Sequence, residues 1–148
     1  MAKTVASKID VKCAGRTDKA TAGSTISPGR CVELSADGKW DQMVSALAAY
    51  AKRGSMAVAL GDASLTGKTI ADDIILDGVF NVLFPLPGDI VLLEVASGEN
   101  IAIGDKLIPT QTTGLFTEAA GTETKFFAEA LDGPGALGAD TLVRCRVL

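Results

Sequence analysis

The side chains that could do chemistry are few, and their spacing does not suit it. The 148-residue sequence contains no histidine. That removes Ser-His-Asp and Cys-His catalysis, imidazole metal ligands and the usual acid-base group at neutral pH. The run Gly61-Asp-Ala-Ser-Leu-Thr-Gly67-Lys68-Thr69 looks like a phosphate-cradling GxxxxGK[ST] loop, but five residues separate its glycines where the motif has four. Backbone amides at that spacing do not form the same nest, and the IADDIILDG that follows is acidic and β-branched, unlike the first turns of a helix. It reads as a surface loop. Asp72, Asp73 and Asp77 could offer oxygens to a hard cation, yet the spacing and distal Glu of a calcium loop are missing, so they read as solvated. Glu94, Glu118 and Glu129 alternate with apolar residues, as outward positions on half-exposed strands do. Cys13, Cys31 and Cys145 are odd in number and lack CxxC pairing, which indicates buried free thiols and neither a zinc site nor a disulfide framework. The expectation is a non-enzyme with no catalytic residue, no metal site and no cofactor.

Charge is the next signal. The net charge is −4, which argues against a global grip on nucleic acid. Residues 1–19 nevertheless hold Lys3, Lys8, Lys12, Arg16 and Lys19 against Asp10 and Asp18, a local +3 that leaves −7 on the rest. This reads as a basic N-terminal arm, residues 1–22, with Lys3, Lys8, Lys12 and Arg16 as the candidate partner-binding residues on an acidic surface. Asp18-Lys19-Ala20 also matches the tripeptide that carries lipoate in carrier barrels. A carrier lysine must sit at a hairpin tip midway along a symmetric barrel, whereas Lys19 follows only a polar 18-residue tail. No stretch reaches the ~18 apolar residues needed to cross a bilayer, and MAKTVASKID has no hydrophobic run of the kind a secretory signal needs, so synthesis in a cytoplasm and no membrane contact are expected.

The elements that would position these residues are short and β-rich. Hydrophobic residues make up 47% of the chain, enough for a packed core, and 16 glycines against five prolines suit many strands joined by tight turns. Strand-like runs are Cys31 to Leu34, MAVAL at 56–60, IILDGVFNVLFPL at 74–86, IVLLEV at 90–95, IAIGDKLI at 101–108, LFTEA at 115–119, KFFAEAL at 125–131 and the closing TLVRCRVL. They are punctuated by Pro28-Gly29, Asp77-Gly78, Pro87-Gly88-Asp89 and Ser97-Gly98. Asp41 to Arg53 is the best helix, with Asp41 as N-cap, Val44, Leu47 and Tyr50 at helical spacing, and Gly54 at the C-cap position.

The chain also echoes itself. Ile26, Gly29, Val32 and Trp40 parallel Ile101, Gly104, Leu107 and Phe116, and MAVALGD at 56–62 parallels FFAEALDG at 126–133. The expected fold is mainly β, a small barrel or sandwich of two related β-units with one short helix at about 41–53 and an extended N-terminal arm. The domain is placed at 23–148, divided into 23–89 and 90–148.

Several of these elements, in order, resemble the head decoration (capsid cement) proteins of tailed bacteriophages. They are the turn at Gly54 to Asp62, the Pro87-Gly88-Asp89 turn, the hairpin from Ile101 to Leu107 with its Thr113-Gly114 tip, the strand Phe127 to Asp132, and the closing Leu142 to Leu148 with alternating arginines. The resemblance covers about 90 residues. An Ala-rich insert at Gln42 to Arg53 and the cysteines depart from it. It implies a homotrimeric virion protein on the capsid exterior that binds and bridges major capsid protein subunits and has no direct contact with DNA. A tail or fibre-base protein built on similar β-units is the alternative, and a lipoyl- or biotinyl-like carrier barrel a more remote one.

Overall fold

The computed structural model describes residues 9–42, 56–62, 72–121 and 126–148, and among these every regular element is a strand. The first unit is a five-stranded antiparallel sheet. It holds β2 (Arg16–Thr21), β6 (Val79–Phe84), β5 (Met56–Asp62), β3 (Cys31–Leu34) and β4 (Trp40–Gln42), in that spatial order. Its two outer strands come together where Ala22, just past β2, bridges Trp40 in parallel and the Gly23 N–H donates to the Trp40 carbonyl at 2.7 Å. The second unit holds β7 (Ile90–Val95), β13 (Thr141–Val147), β11 (Ala128–Ala130), β9 (Lys106–Pro109) and β10 (Phe116–Glu118). It closes into a barrel through the parallel pair Phe116↔Val95. A two-stranded ribbon, β8 (Asn100–Ile101) with β12 (Gly135–Ala136), lies beside it.

The two units are one strand plan used twice. In the first, Val32 opposes Ala57 and Ala59 opposes Val82; in the second, Leu107 opposes Ala128 and Ala130 opposes Cys145. Ala20 opposes Phe80 as Leu93 opposes Val143. Single hydrogen bonds repeat as well. Gly29 N–H donates to Ala59 O and Gly104 N–H to Ala130 O, each at 2.8 Å, and both glycines take positive φ, 91° and 92°. Ile26 bridges Ile74 where Ile101 pairs Gly135. The internal echo therefore reflects the same register in both halves.

Each unit fills its own interior. Ala20, Ala22, Ile26, Val32, Trp40, Ala57, Ala59, Ile74, Phe80 and Val82 form one cluster, with Trp40 set edge-on to Phe84 at 5.7 Å between ring centroids. Small alanines on β2 and β5 make room for Phe80 and Trp40, whereas Leu93, Val95, Leu107 and Phe116 fill the second barrel. Between the units, Cys31, Val58 and Leu83 point away from the first interior and are buried in the cluster that holds the second.

Two sequence expectations change here. Asp41 pairs with Glu33 inside β4, so it does not cap a helix, and the remainder of the expected helix, 43–53, lies outside the described residues. The segment expected as an arm contributes strands to both units from Asp10 onward. β1 (Asp10–Lys12) pairs with β7 of the second unit, β2 pairs with β6 of the first along its whole length, and Ile9, Ala20 and Ala22 are buried. β2 looked like a tail because four of its six residues face solvent and its inward residue is only an alanine.

Candidate interaction surfaces

Of the predicted partner-binding residues, Lys3 and Lys8 lie outside the described residues. Lys12 is exposed on β1 opposite Ile90. Arg16 opens β2 with its guanidinium 4.7 Å over the Phe84 ring and 3.1 Å from Asp18, so much of its charge is used locally. The two residues therefore sit on different sheets and do not form one basic strip. Lys19 lies mid-strand opposite Asn81 and not at a hairpin tip.

The carboxylates are engaged in structure. Asp73 accepts from Ser27 Oγ at 2.7 Å, and Asp77, at φ 64°, pairs with Lys39 at 2.6 Å. Hydrogen bonding to Asp77 and its charge raise the Lys39 ammonium above its ordinary pKa. Asp89 is the most committed. Buried at the crossing between the units, it accepts from Ala14 N–H (2.8 Å), Gly15 N–H (3.0 Å) and Leu86 N–H (2.9 Å). Burial alone would push its carboxyl up, but these three donors together outweigh it and hold the pKa below the usual carboxylate value. Burial raises the thiols of Cys31 and Cys145 to about 12, which keeps them protonated and unreactive.

Glu94 departs from expectation in an informative way. Its side chain does point out of the second barrel, but the first unit sits on that face, and Glu94 is buried. Arg30 reaches across to it, with Nε 3.5 Å from Glu94, a terminal nitrogen 3.5 Å from Asp140 and another donating to Gln42 Oε1 at 3.0 Å. Backbone crosses the same joint, where Glu94 N–H donates to Gly29 O and Cys31 N–H to Gly114 O. Sequence reasoning missed this joint because its residues come from five separate segments. The one available signal was an arginine directly after the repeated glycine in one half, where the other half has Asp105.

Glu118 is exposed, and Glu129 is half-buried between Lys106 at 2.5 Å and Arg146 at 3.1 Å, which lower its pKa through hydrogen bonds and charge. Large apolar side chains exposed to solvent are Leu34, Ile75, Leu76, Val79, Leu86 and Ile103. An open groove of about 420 Å³ along the β9 and β10 hairpin is lined by Ile108, Pro109, Thr110, Gln111, Thr112 and Thr117, none of them titratable.

The molecule is thus a tandem of two small β-units built on one five-strand plan, and its distinctive features are surfaces and a joint. Its fold is shared with a solved virion component. The head fiber gp8.5 N base of bacteriophage phi29 superposes with a TM-score of 0.52 over 90% of this chain and 93% of that one, at 15% sequence identity. No protein-family model and no curated protein sequence matches the chain.

Proposed function

We propose that this chain is a structural protein of a phage virion, seated on the outside of the head, where it binds major capsid protein subunits and stabilises the shell by bridging them as a homotrimer. The observation that supports this most is the likeness to the phi29 head fiber base along nearly the full length of both chains. The order of turns and strands that resembles decoration proteins points the same way. So does the disposition of chemistry among the described residues, where carboxylates are spent on turns and ion pairs and large apolar residues such as Ile75 and Leu76 are left on the surface. A role of this kind requires area and repetition, with modest affinity per site gaining by avidity. It requires no catalysis, cofactor, nucleic acid or membrane.

A second reading has its own support: the module serves as the base of a fibre, since the phi29 protein whose fold it shares is a head fiber N base. One experiment separates the two. Purified protein is added to phage heads that lack it, and the heads are sedimented and then heated. Both readings expect the protein to pellet with heads. The bridging role further expects the temperature of shell disruption to rise by several degrees at saturation, whereas a fibre base leaves it unchanged. Failure to pellet with heads rejects both.

A further inference from the structure

The repeated strand plan allows the inter-unit joint to be compared, position by position, with the two faces that have no neighbouring unit among the described residues. On the donating side of the joint, β3, β5 and β6 of the first unit present Cys31, Val58 and Leu83, three residues in one cross-strand row. The same row in the second unit, read from the same register on β9, β11 and β13, is Lys106, Glu129 and Arg146. Three buried apolar side chains are replaced by a surface ion-pair triad, with Lys106 and Arg146 both pairing to Glu129 and 40% and 49% of their side chains exposed.

The receiving side shows the same exchange. In the second unit β7 offers Leu92, packed against the cluster, and Glu94, the partner of Arg30. The matching positions on β2 of the first unit are Lys19 and Thr21, opposite Asn81 and Val79 where Leu92 and Glu94 oppose Arg144 and Leu142. Lys19 is exposed. The bridging cation is lost too. Arg30, whose carbonyl accepts from Ala59 N–H, corresponds to Asp105, whose carbonyl accepts from Ala130 N–H. Every distinguishing feature of the joint (the apolar row, the receiving leucine and the Arg-Glu pair) is therefore absent from both free faces, while the backbone that presents them is retained.

We propose that these two faces are the closed ends of a two-unit array: the charged row on β9, β11 and β13 and the polar face of β2 prevent a second copy from repeating the internal joint. A heterologous joint of this kind propagates without limit unless its ends are made unlike its middle, and repeat proteins cap their ends with polar faces for that reason. Any oligomer of the chain then uses other surfaces. The inference is independent of the virion role.

Its test is to restore the joint residues on each end separately. One variant carries Asp105→Arg, Lys106→Val, Glu129→Val and Arg146→Leu; a second carries Lys19→Leu and Thr21→Glu; a third carries all six. Circular dichroism and Trp40 fluorescence select folded preparations, and sedimentation velocity reads size. The first two variants are expected to match the wild type when run alone, and their equimolar mixture to give a species of at least twice the wild-type mass. The six-substitution variant is expected to give a concentration-dependent ladder of larger species. Equal self-association of either partial variant alone would show indiscriminate stickiness and overturn the proposal. So would a six-substitution variant of wild-type size, or a wild-type oligomer with cross-links between Lys106 and Lys19 of neighbouring copies.

Discussion

At the scale of single residues, Asp89 carries more of the structure than any other carboxylate described. It gathers two N–H groups from just before β2 and a third from the turn after β6, so a single side chain fixes where the chain crosses from the first unit to the second. Its pKa is depressed in the fold, so its contribution is fully present above the unfolded carboxylate value of about 3.9 and is lost as pH falls through the lower folded value. Asp89→Asn keeps the shape but places an amide nitrogen against N–H donors, and is expected to cost about 3 kcal/mol at pH 7. The wild-type advantage should shrink in urea titrations carried down through and below the unfolded carboxylate range. An unchanged difference between the two proteins from pH 7 down to that range would mean that the carboxylate charge contributes nothing.

At the scale of elements, the two hairpins that follow the repeated glycines test how far the halves are equivalent. Ser35 N–H donates to Lys39 O in one and Thr110 N–H to Leu115 O in the other, and each turn contains a positive-φ glycine, Gly38 at 81° and Gly114 at 69°. Gly38 has open space around it, whereas a Cβ on Gly114 would meet the backbone carbonyl of Cys31 across the joint. Gly38→Ala should therefore cost about 1 kcal/mol, the conformational strain alone. Gly114→Ala should cost more than about 3 kcal/mol because the facing backbone has to move. Equal losses in denaturant melts would contradict the close approach. These turns also show what was legible in the sequence. β3, β7 and β13 could be read because they are short apolar, β-branched runs set off by turn residues. β2 could not, since its inward residue is an alanine and the rest are polar, and neither could β4, whose three residues carry no period. The Ala-rich stretch after β4 suggested a helix starting at Asp41, but pairing with Glu33 decides that residue's state. The joint was illegible for a different reason: whether Val58 or Glu94 faces water depends on a partner unit that no local pattern describes.

At the scale of the whole molecule, the joint decides whether the two units behave as one body. Each has its own filled interior, yet Cys31, Val58 and Leu83 are fully buried only because the second unit is in place, and β1 is sheet of the second unit although it precedes the first in sequence. A tandem of this kind gains its cooperativity from the interface between neighbours. The chain has one tryptophan, and Trp40 lies in the first interior, so its fluorescence reports that unit while far-UV circular dichroism reports both. In the wild type the two signals should melt together. Val58→Asp buries a carboxylate in the joint without entering either barrel interior, at a cost of about 3 kcal/mol or more. The fluorescence transition should then precede the dichroism transition, because the first unit loses the surface that covers its outer face while the second barrel keeps its closed ring of strands. Coincident transitions in Val58→Asp would mean that the units depend on each other through the shared crossing at Asp89 more than through the apolar row.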